Sequence, residues 1–95
     1  VGAHGVVSVA SNVAPKQVSR MVRAFAAGDL KGALRLHSKL YPLFKDLFIE
    51  SNPGPVKAAL ALMGVIAEEY RLPLCPLSDR SREILARTLR ETGLL

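Results

Sequence analysis

Gly-Ala-His-Gly-Val-Val-Ser-Val (Gly2 to Val9) is the stretch on which the reading of this chain turns. Its β-branched residues Val6, Val7 and Val9 read as a buried strand, entered through the glycines at positions 2 and 5. A strand leaves its backbone N–H and C=O groups unpaired until neighbours supply partners, and everything downstream reads as helical. The 95 residues also begin without Met, so the expectation is the C-terminal piece of a larger protein whose upstream part carries the partner strands.

Immediately after the strand, Ser11-Asn12-Val13-Ala14-Pro15 carries helix-start chemistry, with Ser11 or Asn12 as cap and Pro15 in a first turn that needs no donor. In the helix that follows, Val18, Met21, Val22 and Phe25 recur at i, i+3, i+4 and i+7, and Gly28-Asp29 ends it and starts the next. The second helix, Leu30 to Phe48, has two apolar rows. Ala33, Leu36, Leu40, Leu43 and Leu47 form one; Leu30, Leu34, Tyr41, Phe44 and Phe48 form the other. This helix is therefore expected to pack on two sides, with a kink at Pro42. Asn52-Pro53-Gly54-Pro55 breaks the chain, and a third helix from Pro55 to Glu68 is apolar almost all round. The connector Arg71 to Pro76 reads as extended. Ser78 then caps a last helix whose inner stripe is Ile84, Leu85, Thr88 and Leu89. Fold expectation for the piece is thus mainly α: one strand followed by about four helices.

Composition narrows the function classes. Hydrophobic residues make up 49% and charged residues 22%, with mean hydropathy +0.23, which fits one modest core plus apolar surface meant for a partner. No apolar run reaches the length of a membrane span, and no membrane partner is expected. The single cysteine, Cys75, excludes an internal disulfide and agrees with a reducing, cytoplasmic setting. A net charge of +5 invites a nucleic-acid partner, but the cations are scattered over several helices and lack interleaved aromatics, so none is expected.

The residues able to carry chemistry are few. His4 and His37 stand too far apart for a helical metal pair and have no Cys or carboxylate at ligand spacing, so no metal site is expected. Cys75 reads as a small buried filler rather than a nucleophile. Lys57, inside Pro-Val-Lys-Ala-Ala, is the lysine nearest a desolvated setting; the ordinary reading is a side chain whose ammonium reaches water. Small polar residues follow the strand and lead into a capped helix. In a β/α barrel that junction is the face where active sites lie.

Three segments taken together resemble a known family. His-Gly-Val-Val-Ser-Val-Ala-Ser-Asn-Val (His4 to Val13), Glu-Ser-Asn-Pro-Gly-Pro-Val-Lys-Ala-Ala-Leu-Ala-Leu-Met-Gly (Glu50 to Gly64) and Arg-Leu-Pro-Leu-Cys-Pro-Leu-Ser (Arg71 to Ser78) resemble, in order and spacing, the C-terminal third of the dihydrodipicolinate synthases. The resemblance implies a parent α/β TIM (β/α)8 barrel. Residues 1–28 would hold its eighth strand and last barrel helix, and residues 29–95 a C-terminal helical region. It implies a cytoplasmic class I aldolase of lysine biosynthesis, usually a homotetramer, that condenses pyruvate with L-aspartate-4-semialdehyde. No cofactor is implied, pyruvate itself being bound covalently to an upstream lysine. No catalytic residue of the family maps onto this chain. One binding position does, onto Val7, whose backbone would lie beside the pyruvate adduct. Gly54 departs from the family, where many relatives have isoleucine between the two prolines. The alternative class is a free-standing helical interaction module without catalysis, since an orphan strand and an apolar helix both call for a partner.

Overall fold

The computed structural model describes residues 3–95, so Val1 and Gly2, and the start of the expected strand with them, lie outside the described residues. A 3-10 turn at Ala10–Asn12 leads into four helices: α1 (Pro15–Ala26), α2 (Leu30–Asp46), α3 (Gly54–Leu62) and α4 (Asp79–Glu91). The strand expected to precede them is not formed. Residues 3–8 have no regular structure and residues 3–7 are exposed. A strand exists only as a member of a ladder, and the described residues contain no second β segment to pair with it.

Each helix boundary has a local cause. Ser11 and Asn12 do not cap α1; the Ser11 hydroxyl donates to the Ser8 carbonyl at 2.6 Å and the Asn12 amide to the Val9 carbonyl at 3.1 Å, which builds the 3-10 turn instead. Ala14 takes the N-cap position, and Pro15 opens the helix as its sequence implies. Gly28 ends α1 with φ 83°, letting the Asp29 N–H reach back to the Ala24 carbonyl at 2.8 Å. Asp29 then caps α2 by accepting the Gly32 N–H at 2.9 Å.

α2 runs as one helix through Pro42, whose missing N–H leaves only the exposed Ser38 carbonyl without its helical partner. α3 is shorter than its apolar pattern implies. Gly64 adopts φ 77°, the Val65 N–H turns back to the Leu60 carbonyl at 2.9 Å, and the helix stops at Leu62, leaving Ile66 and Ala67 exposed rather than buried. Ser78 caps α4 as expected, its hydroxyl accepting the Ser81 N–H at 3.2 Å.

The core lies where α4 packs against both the C-terminal half of α2 and α3, with the 3-10 turn and the start of α1 beside them. Leu43 and Leu47 pack in one cluster with Val56, Ala58 and Ala59 of α3, Leu85 and Leu89 of α4, and Ala14 and Val18. Each fully buried leucine contributes about 1.5–3 kcal/mol by leaving water. One acid enters this region. Asp46, at 6% relative accessibility, accepts a hydrogen bond from the Thr88 hydroxyl, joining α2 to α4.

The two apolar rows of α2 meet different fates. Ala33, Leu40, Leu43 and Leu47 are buried, but in the other row Leu30, Leu34, Tyr41 and Phe48 are exposed, Leu34 at 64%. Among the described residues, only Phe44 of this second row packs against the core. The radius of gyration, 14.1 Å, exceeds the roughly 12 Å of a compact chain of this length, and the extents of 43 × 24 × 20 Å show an elongated shape.

Candidate functional site

The surface that the fold leaves open runs from residues 3–9 across α1 to the second row of α2. It holds two cavities. The larger, about 1000 Å³, is walled by Ala3, His4, Met21, Phe25, Leu34 and His37 among others. The smaller, about 310 Å³, lies between residues 6–10, Val18, Met21, Phe44 and Phe48. Apart from two imidazoles and the Ser8 hydroxyl, no side chain in these walls can carry a proton or attack a carbonyl. Such walls suit hydrocarbon packing, and a small charged substrate would find no counter-ion there.

Val7, the one residue expected to bind substrate, lines the smaller cavity and is fully exposed, at 105% relative accessibility. His4 and His37, far apart in sequence, stand at the wall of the same larger cavity. His37 is further held among aromatic rings, with centroids 6.0 Å from Tyr41 and 5.9 Å from Phe44. Among the described residues no group of three or more His, Cys, Asp or Glu is placed to hold a metal ion.

Lys57 is half-buried on α3, and its ammonium donates to the Glu69 carbonyl at 3.3 Å while lying 5.9 Å from the Tyr70 ring centroid. It is thus engaged with backbone and ring. Cys75 corrects its sequence reading: it is exposed, because the connector that carries it lies on the surface and contributes only Leu77 to the core.

Sequence reasoning missed a polar cluster around this connector. Glu68 accepts from both Arg82 and the Tyr70 hydroxyl, the latter at 2.9 Å. The Arg82 hydrogen bond holds the Glu68 carboxyl below its ordinary value, and burial, reinforced by Glu68, pushes Tyr70 up to about 12. Glu50 accepts the Ser78 N–H and hydroxyl, each at 3.1 Å, and contact with Ser81 and Ser78 keeps its carboxyl low. These partners stand 14 and 28 residues apart, and no local periodicity signals such pairs.

The helices are those of the mainly helical C-terminal third of a (β/α)8-barrel protein. The model of the dihydrodipicolinate synthetase family matches residues 1–92, and the chain belongs to that family. A 4-hydroxy-tetrahydrodipicolinate synthase of Thermotoga neapolitana is 54% identical over 94 residues, covering 99% of this chain and 32% of the relative. The chloride-inhibited dihydrodipicolinate synthase of Acinetobacter baumannii, solved with pyruvate, superposes with a TM-score of 0.95 at 44% identity, covering 99% of this chain and 32% of that one. A dihydrodipicolinate synthase described as a monomeric variant superposes with a TM-score of 0.94 at 53% identity, over 96% of this chain and 30% of that one. The chain therefore spans about a third of the length of the curated relatives it matches.

Proposed function

We propose that this chain is the C-terminal part of a class I aldolase that condenses pyruvate with L-aspartate-4-semialdehyde to 4-hydroxy-tetrahydrodipicolinate, the lysine (diaminopimelate) branch reaction. The observation that carries the proposal is the family match over residues 1–92, joined to a relative of the same fold solved with pyruvate. Residues 1–28 supply the eighth barrel strand and the helix that closes the barrel, and residues 29–95 the appended helical region. The exposure of residues 3–7 supports this, since an unpaired β-branched segment is what a barrel strand becomes without its neighbours. The exposed row of α2 supports it as well, because the remaining two thirds of such an enzyme would cover it.

In this mechanism the Schiff-base lysine and its proton relay lie in the part of the enzyme that the chain does not span. Class I chemistry needs a lysine of lowered pKa against the substrate carbonyl and an acid–base group for the forming alkoxide. Lys57, tied to the Glu69 carbonyl, is not that lysine, and the 95 residues alone are inactive. Val7 contributes its backbone beside the pyruvate adduct. No separate cofactor takes part, and the working protein is a cytoplasmic homotetramer.

Borohydride reduction of the full-length protein with pyruvate tests the proposal. One covalent label is expected, on a lysine outside residues 1–95. Val7→Trp is expected to lower kcat/KM by about 10- to 100-fold by displacing the adduct, with the fold intact. A label on Lys57, or condensation by the 95 residues alone, overturns the assignment.

A further inference from the structure

Residues 65–76 join α3 to α4, and burial holds almost none of them. Only Tyr70 and Leu74 are half-buried, the others are exposed, and Leu72 reaches 93% relative accessibility. Beyond the α3 cap, the single backbone hydrogen bond of the connector among the described residues runs from the Leu74 N–H to the Arg71 carbonyl at 2.8 Å. A segment with so few buried contacts has a low free energy of local opening unless something else fastens it.

The fastening is polar and comes from both flanking helices. Arg82 of α4 donates to Glu68 Oε1, and the Tyr70 hydroxyl donates to the same oxygen. Lys57 of α3 donates to the neighbouring Glu69 carbonyl and faces the Tyr70 ring. Three consecutive connector residues, 68–70, thus receive a cation from each helix. Both ends are anchored differently: the first by the Gly64 cap, the second by buried Leu77 and the Glu50–Ser78 hydrogen bonds.

We propose that residues 65–76 form a strap that opens as a unit between the Gly64 cap and Leu77, with the Glu68 carboxylate as its latch onto Arg82. The latch centres on Glu68 because one of its oxygens accepts from Arg82 of α4 and from Tyr70 within the strap, so its loss breaks both the tie to α4 and the bond that holds the strap's own turn. The Glu68 and Arg82 side chains are 27% and 32% accessible, which leaves the pair partly screened and makes the latch releasable rather than permanent. The strap also contains Arg71, an exposed site for trypsin whenever it opens.

Hydrogen exchange of the full-length protein, read by mass spectrometry, tests this. The amides of residues 66–72, 74 and 75 should exchange faster than those of α3 and α4. Glu68→Gln and Arg82→Gln should each speed the strap by about tenfold while α3 and α4 stay unchanged, and the double variant should go no further. Glu69→Gln removes the adjacent charge but keeps the carbonyl that Lys57 uses, and should change nothing. Tryptic cleavage after Arg71 should rise in step. Tyr70→Phe deletes one donor only and should give a smaller acceleration, which keeps the test available if the Gln variants fail to fold. Unchanged strap exchange in Glu68→Gln, equal acceleration of the helices, additive effects in the double variant, or the same effect from Glu69→Gln each overturns the latch. None of these outcomes depends on the aldolase assignment.

Discussion

Thr88→Val is the substitution most informative about how the two halves of the helical region are joined. Thr88 is 4% accessible and its hydroxyl donates to the carboxylate of Asp46, a residue 6% accessible that ends α2. Valine keeps the shape of threonine, so packing is retained while the carboxylate loses its donor. The remaining cation, Lys45, lies 3.8 Å from the other oxygen with a side chain 67% exposed, and contributes little. A negative charge at a helix C-terminus is also opposed by the helix dipole. The expected loss is about 2 kcal/mol, the range for a hydrogen bond to a charged group. Urea unfolding would show this as a midpoint lowered by about 1 M at an unchanged slope. Asp46→Leu combined with Thr88→Val should recover most of the loss, because no buried polar group is then left unpaired. A single variant within about 0.5 kcal/mol of the parent, or a double variant as unstable as the sum of its parts, would refute the assignment of this hydrogen bond as the tie between α2 and α4.

Gly64→Ala should cost about 1–2 kcal/mol in the same assay, since φ 77° strains any L-residue although space is open there. The Glu50 and Glu68 carboxyls are both held below their ordinary value of 4.5, so the stability they add is complete above that value and is lost as pH falls through their folded values. Urea midpoints measured from about pH 6 downward should therefore fall, and Glu50→Gln with Glu68→Gln should flatten that slope. Leu34→Asp should destabilise the full-length protein by about 3 kcal/mol or more if the rest of the enzyme covers the second row of α2; a change within about 0.5 kcal/mol would mean that the row faces water.

Where a local rule carried enough information, the sequence was sufficient to place the element. Gly28-Asp29 ended α1 and began α2, Ser78 capped α4, and the stripe Leu85, Thr88, Leu89 faced inward, because caps and 3.6-residue periodicity act over a few neighbours. Ser11 and Asn12 failed as caps because their side chains found nearer carbonyls one turn back, at Ser8 and Val9. α3 is shorter than its apolar run because the backbone turns at Gly64 while apolar residues continue past it. At the candidate site, Val7 was named from a resemblance. The Glu68 cluster was invisible because its members meet only after the connector folds back over α3 and α4.

By itself the sequence determined family, helical content and the helix ends set by Gly28, Asp29 and Ser78, since each rests on contiguous residues whose propensities, caps and motifs act locally. Only the tertiary structure decided which face of α2 is buried. Both rows of that helix are apolar enough for a core, and the choice depends on what stands opposite: the core cluster that includes Leu85 and Leu89 of α4 takes up Leu43 and Leu47, whereas among the described residues Leu30, Leu34 and Phe48 stay exposed at the walls of open cavities. The same physics governs Val6 to Val9, where β propensity is present but a strand needs a ladder, and a ladder is a property of the assembled fold.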